Sequence, residues 1–177
     1  MSNIELREPT ADDVEWLNAA DSLEGRGEFN DFGLPPGDHA REAEEGFITS
    51  SRGTLIIQAG DGTRLGSVSW RPSMYGPDER SRAWQLGIAL LPEARGHGYG
   101  GQALRLCADY LFEHTQVTRI EGQVDTENTA GLRAMEKAGF RREGVARGAQ
   151  FRHGAMHDLA VFSRVRGDPD ASQLRDW

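Results

Sequence analysis

The sequence of 177 residues holds a single cysteine, which excludes an internal disulfide framework and a zinc site built from cysteine pairs. It has no apolar run approaching the ~20 residues that a membrane-spanning helix needs; the longest clean one is Leu86 to Leu91. Met1-Ser2-Asn3-Ile4-Glu5 lacks both a basic flank and an apolar core segment, so no secretory signal is expected. Its five histidines show no metal-ligand spacing: His153 and His157 flank a turn without a third ligand beside them, and no metal is expected. Excess positive charge is lacking too. A net charge of −8 argues against a nucleic-acid backbone as the main partner, since binding phosphates needs a basic face. These absences lead us to expect a soluble cytoplasmic protein with no membrane or nucleic-acid partner.

What is present is an ordinary globular composition, 37% hydrophobic and 27% charged, long enough for one domain with its own core. The charge is uneven. Residues 1–50 carry 13 acidic and 3 basic residues, whereas the rest of the chain is slightly basic. Such a division suits a cationic ligand on one side and an anionic one on the other, although solvated helix faces give the same pattern.

Hydrophobic periodicity yields the order β, α, loop, β-hairpin, β, α, β, α, β, β, a mixed α/β domain of about seven strands. Thr10-Ala11-Asp12-Asp13 reads as a capping box opening a helix with Val14, Leu17 and Ala20 on its apolar face. Residues 21–38 hold four glycines and two prolines and read as a long loop, with room for a short helix. Gly60-Asp61-Gly62 marks a hairpin between Thr54–Gln58 and Arg64–Trp70, and Arg71 to Ser81 reads as a polar loop. Ala83 to Leu91 is the strongest strand, stopped by Pro92, and a helix follows the next glycines to about His114. Arg119–Val124 is a strand, Asn128 caps a helix closing at Gly139, and Val145–Phe151 and His157–Val165 end the domain. We expect one domain over residues 1–167 and a tail over 168–177.

The segment Arg95-Gly96-His97-Gly98-Tyr99-Gly100-Gly101 carries the chemistry. Small residues expose backbone N–H groups at a helix start, where the dipole favours an anion, so the loop is shaped to hold a pyrophosphate. Gly96-x-Gly98-x-x-Gly101 matches the dinucleotide fingerprint literally, with Glu121 20 residues further on. The context argues against that reading. Pro92–Arg95 separates the strand from the glycines, and only one further strand–helix unit follows.

Arg95-x-x-Gly98-x-Gly100, led by Ile88 to Glu93, resembles the coenzyme A pyrophosphate motif of the GNAT N-acetyltransferase superfamily. Asn128 to Phe140, with Glu136-Lys137-Ala138-Gly139-Phe140 at its end, is similar to that family's Asn-capped helix. Glu143-Gly144, Arg147, Gly154 and Asp158, together with Leu6-Arg7 and Asp13, look like the branch that acetylates ribosomal-protein N-termini. The resemblance implies a single domain of mostly antiparallel strands with a central, splayed parallel pair and helices on both faces. It implies acetyl-CoA as co-substrate and an amine acceptor, either a protein N-terminus or a small molecule, in a monomer or homodimer. Backbone groups of Ala89, Leu90 and Leu91 are then expected along the pantetheine arm, and Arg95, Gly96, His97, Gly98, Tyr99, Gly100 and Gly101 around the pyrophosphate. Asn128 and Lys137 complete the expected cofactor set.

The family's acid–base pair is not reproduced. Met135 stands where many relatives place a tyrosine, and Gln85 where many place a glutamate, and neither can move a proton. Candidate substitutes are Asp125, Glu28 or Asp31 as base, Tyr99 or Tyr75 as acid, and Ser163 as a hydrogen-bonding group. Glu28, Asp31 and Gln85 are also candidate acceptor contacts, the two carboxylates favouring a cationic amine. A non-catalytic acyl-CoA-binding module stays open beside the enzyme. Cys107, on the apolar stripe of its helix, reads as a core residue.

Overall fold

The computed structural model describes residues 3–35 and 37–168, without the side chains of Leu23 and Glu24; Met1, Ser2, Pro36 and the tail beyond 168 lie outside the described residues. Seven strands form one sheet in the order β1-β2-β3-β4-β5-β7-β6. They are β1 (Ile4–Arg7), β2 (Gly53–Ala59), β3 (Arg64–Met74), β4 (Arg82–Leu90), β5 (Arg119–Asp125), β6 (Arg141–Arg152) and β7 (Ala155–Val165). Every neighbouring pair is antiparallel except β4 and β5.

Alternation along the strands divides the side chains between two layers. Val68 and Trp70 of β3, Trp84 and Leu86 of β4, and Ile120 of β5 pack against α4 (Tyr99–His114) and α5 (Thr129–Lys137) in the main core. Cys107 is wholly buried there and burial pushes its thiol far up, which fits the core reading. The other face is covered by α1 (Val14–Ala20), α2 (Leu23–Arg26) and α3 (His39–Glu45), with Leu17, Phe47 and Ile56 forming a smaller core.

The fold revises the reading of one segment. The Arg71–Ser81 segment is not all loop: β3 runs on to Met74, with Pro72 opposite Trp84. In the register set by the Leu91 N–H to Leu65 carbonyl bond, Pro72 turns its nitrogen away from β4. β2 has already ended opposite Trp70, so the missing N–H leaves no partner unsatisfied. The short helix for which the 21–38 segment had room is α2, followed by a 3-10 turn at Glu28–Asn30, and together they form a strap.

The strands β4 and β5 pair only over Trp84–Leu86 and Ile120–Gly122. Beyond these residues both continue and diverge. Leu91 turns its N–H to β3, so by alternation Gly87 and Ala89 do the same, while Ile88 and Leu90 present backbone N–H and C=O to the gap.

Candidate active site

Two cavities meet at this gap. One, of about 350 Å³, passes through the splay between Asn128, Gly131 and Ala134 on the α5 side and Gln85, Gln123 and Asp125 on the other face. The second, of about 440 Å³, lies beneath α1–α3 over the β3–β4 surface. Asn30, Phe32, Ser69, Gly87 and Ile88 line both cavities and so mark the junction.

The glycine loop stands at the end of β4. Gly96 and Gly98 have φ of 81° and 82°, a region open to glycine and strained for other residues. A Cβ at either would meet nothing within 4 Å, so backbone shape rather than crowding calls for glycine there. The first helical bond of α4 runs from Gln102 N–H to the Gly98 carbonyl, which leaves the N–H groups of Tyr99, Gly100 and Gly101 ahead of the ladder. These donors, with the helix dipole behind them, form an anion cradle. A Cβ on Gly101 would lie 3.2 Å from Lys137 Cβ, so Lys137 stands beside that first turn.

Arg95 departs from its expected role. Its N–H is taken by the Pro92 carbonyl, and its guanidinium turns from the cradle to donate to the Leu90 carbonyl (3.0 Å) and the Gly25 carbonyl (2.6 Å). It ties the strap to the donor loop. Ala89 directs its backbone groups to β3, and Leu91 gives its N–H to β3 and its carbonyl to the Ala94 N–H, leaving Ile88 and Leu90 on the gap. The strap is held at two further points: Asn30 donates to the Ile88 carbonyl (3.2 Å), and the Phe29 ring lies under the Arg152 guanidinium (5.2 Å).

Asn128 caps α5 by accepting from the Gly131 N–H (2.8 Å) and also lines the gap. Asp125 lines it too, but its carboxylate is fully engaged. One oxygen accepts the Glu127 N–H; the other meets Arg152 Nη2 at 2.7 Å and His157 Nδ1 at 3.0 Å. Burial pushes the Asp125 carboxyl up, yet these partners outweigh it and hold the group below the ordinary carboxylate value. That is the wrong direction for a base. Asp125, Glu127 and His157 have metal-like spacing, but Arg152 already supplies the positive charge at that point.

The other candidates lie apart from the junction. Tyr99 sits in the first turn of α4 beside His97, and Ser163 is buried, donating to Glu143. Tyr75 hydrogen-bonds Glu121, itself 1% exposed, and Arg119 joins Glu121 to Glu143. Burial and Glu121 raise the Tyr75 hydroxyl above its usual value. Glu28 and Asp31 line neither cavity; Asp31 accepts the Gly33 N–H instead. Gln85 lines the gap and accepts from Arg71 at 2.9 Å. Asn30 and Arg152 escaped the sequence reading, because neither residue type nor spacing signals a contact made across so much chain.

Residues 3–141, which include the splayed pair and the glycine cradle, match the model of the acetyltransferase (GNAT) domain. The chain belongs to the GNAT acetyltransferase family. Among its GNAT relatives, the probable N-acetyltransferase YjcK of Bacillus subtilis is 31% identical over 65% of this chain and 62% of its own length. The uncharacterized N-acetyltransferase YoaA of the same organism is 30% identical over half of each chain. The chain thus spans less than two thirds of these relatives. In fold it resembles the spermidine N-acetyltransferase of Vibrio cholerae solved with CoA and spermine (TM-score 0.77, 17% identity, 92% and 95% of the two chains). It also resembles the ribosomal-protein-S5-alanine acetyltransferase of Vibrio fischeri (TM-score 0.72, 17% identity, 95% and 96%). Among the described residues, no helix is long and apolar enough to cross a membrane.

Proposed function

We propose that this protein transfers an acetyl group from acetyl-CoA to a primary amine by direct attack. The observation that carries the reading is the gap itself: the backbone N–H groups of Ile88 and Leu90, which have no strand partner, open onto a channel that begins near a cradle of free N–H groups. Acetyl-CoA supplies the acyl group as an activated thioester.

The N–H groups from Gly96 to Gly101 hold the pyrophosphate, with Lys137 beside them. The gap-facing N–H groups of β4 pair with the extended arm as a neighbouring strand would and polarise the carbonyl under attack. Asn128 fixes the start of α5 along the same channel. The acceptor enters from the cavity beneath α1–α3 and meets the carbonyl at the junction of Asn30, Ser69 and Gly87. No titratable side chain is among the five that line the junction, so the amine proton leaves to water, and the rate rises with pH toward the acceptor's own pKa.

Thiol release from acetyl-CoA with a panel of amines tests the reading. Turnover, together with thermal stabilisation by CoA and none by NAD, is the expected result. Stabilisation by CoA without turnover of any amine would make the chain an acyl-CoA-binding module instead.

A further inference from the structure

The cavity beneath α1–α3 contains four ionisable side chains, and they satisfy one another. Asp21 accepts Arg26 Nε (2.9 Å), Arg26 Nη2 (2.9 Å) and the Gly37 N–H (2.7 Å). Glu42 meets His39 Nδ1 at 3.0 Å and Arg52 Nη1 at 3.8 Å. The rest of Arg26 is used on the wall, where it donates to the Leu34 and Pro35 carbonyls. That fork anchors the Leu34 end of the strap, and Phe32 and Leu34, 42% and 63% exposed, both line the cavity. Leu17, Leu90 and Leu91 supply further apolar lining.

Two other acids of the strap, exposed Glu28 and half-buried Asp31, lie outside both linings. On the same sheet face, Arg71 borders the gap and donates to the uncharged Gln85; among the described residues it meets no carboxylate. The chamber therefore offers an incoming ammonium no free carboxylate, and one guanidinium near the reaction point.

We propose that the acceptor is a monoamine with a compact apolar body, and that a second ammonium group is selected against. This deepens the acetyltransferase reading above and rests on it. A lone amine can lose its proton before attack and enter neutral, with its alkyl or aromatic part against Phe32 and Leu34. A polyamine must bring a remaining charge into a chamber whose carboxylates already have partners, and desolvating it there is unfavourable. Arg71 adds like-charge repulsion.

A matched pair of probes isolates the second charge: pentylamine and 1,5-diaminopentane share a five-carbon chain. With saturating acetyl-CoA, kcat/KM for pentylamine should exceed that for the diamine by about tenfold or more, a gap set by one like charge beside the reaction point. Arg71→Gln should narrow the gap by raising the diamine, and Phe32→Ala should narrow it by lowering pentylamine. CoA should stabilise both variants thermally as it does the parent. Equal or better turnover of the diamine overturns the inference and leaves the acetyltransferase standing. Release with neither amine overturns it as well, and a missing thermal shift with CoA then removes the acetyltransferase reading too.

Discussion

Asp125 shows how much a residue's partners decide its work. Its carboxylate lines the gap, but Arg152, His157 and the Glu127 N–H occupy it from all sides. It is better placed to hold the hairpin between β6 and β7, and through Arg152 the Phe29 end of the strap. Asp125→Asn leaves the Arg152 guanidinium, 4% exposed, without its counter-charge, a change that costs roughly 3–5 kcal/mol for a buried pair. Chemical denaturation should register that loss, while kcat of the folded variant falls less than about tenfold, below the range typical of a lost general base. A fall of several hundredfold would return the base role to Asp125.

At the scale of elements, the parts legible in the sequence are those encoded locally. The glycine cradle, the Asn128 cap and the Gly60–Gly62 hairpin depend on backbone preferences of adjacent residues, and each stands where the sequence placed it. Contacts between distant segments left no such mark. Arg95 reads as a phosphate ligand until its Gly25 partner, 70 residues away, is known. The segment around Pro72 reads as a polar loop until β2 is seen to stop short of it. The surroundings of the candidate acids and bases were not legible for the same reason: burial and ion pairing are tertiary properties.

The loop gives an element-scale prediction. Gly98→Ala forces a side chain into a left-handed conformation, at about 1 kcal/mol, and sets a methyl in the cradle's open space. The KM for acetyl-CoA should rise by about tenfold, the equivalent of ~1.4 kcal/mol, while the acceptor KM changes little. A steady-state matrix varying both substrates separates the two.

For the whole molecule, β5, β6 and β7 are joined by an ionic chain. Arg119 binds Glu121 and Glu143, and Ser163 donates to Glu143 at 2.6 Å. Arg119 holds the Glu143 carboxyl down to about 2, from an ordinary value near 4.5. A lowered folded-state pKa contributes stability above the unfolded value and loses it as the pH falls through the folded one. Glu143→Gln should therefore destabilise the protein at pH 7, by about 1 kcal/mol after solvent screening, and the difference should fade between about pH 4.5 and 2. Urea titrations of both proteins across that range check the sign; a gap that widens in acid contradicts it.

Arg95 grips a carbonyl of the donor strand with one part of its guanidinium and a carbonyl of the acceptor strap with another. The two substrates thus share a mechanical link, and linkage makes its effect reciprocal. Whatever factor acetyl-CoA applies to the acceptor's dissociation constant, the acceptor must apply to that of acetyl-CoA. In calorimetric titrations of each ligand with and without the other, the factor should differ from one in the parent protein. Arg95→Ala should bring it to one, leaving two sites that bind without reference to each other.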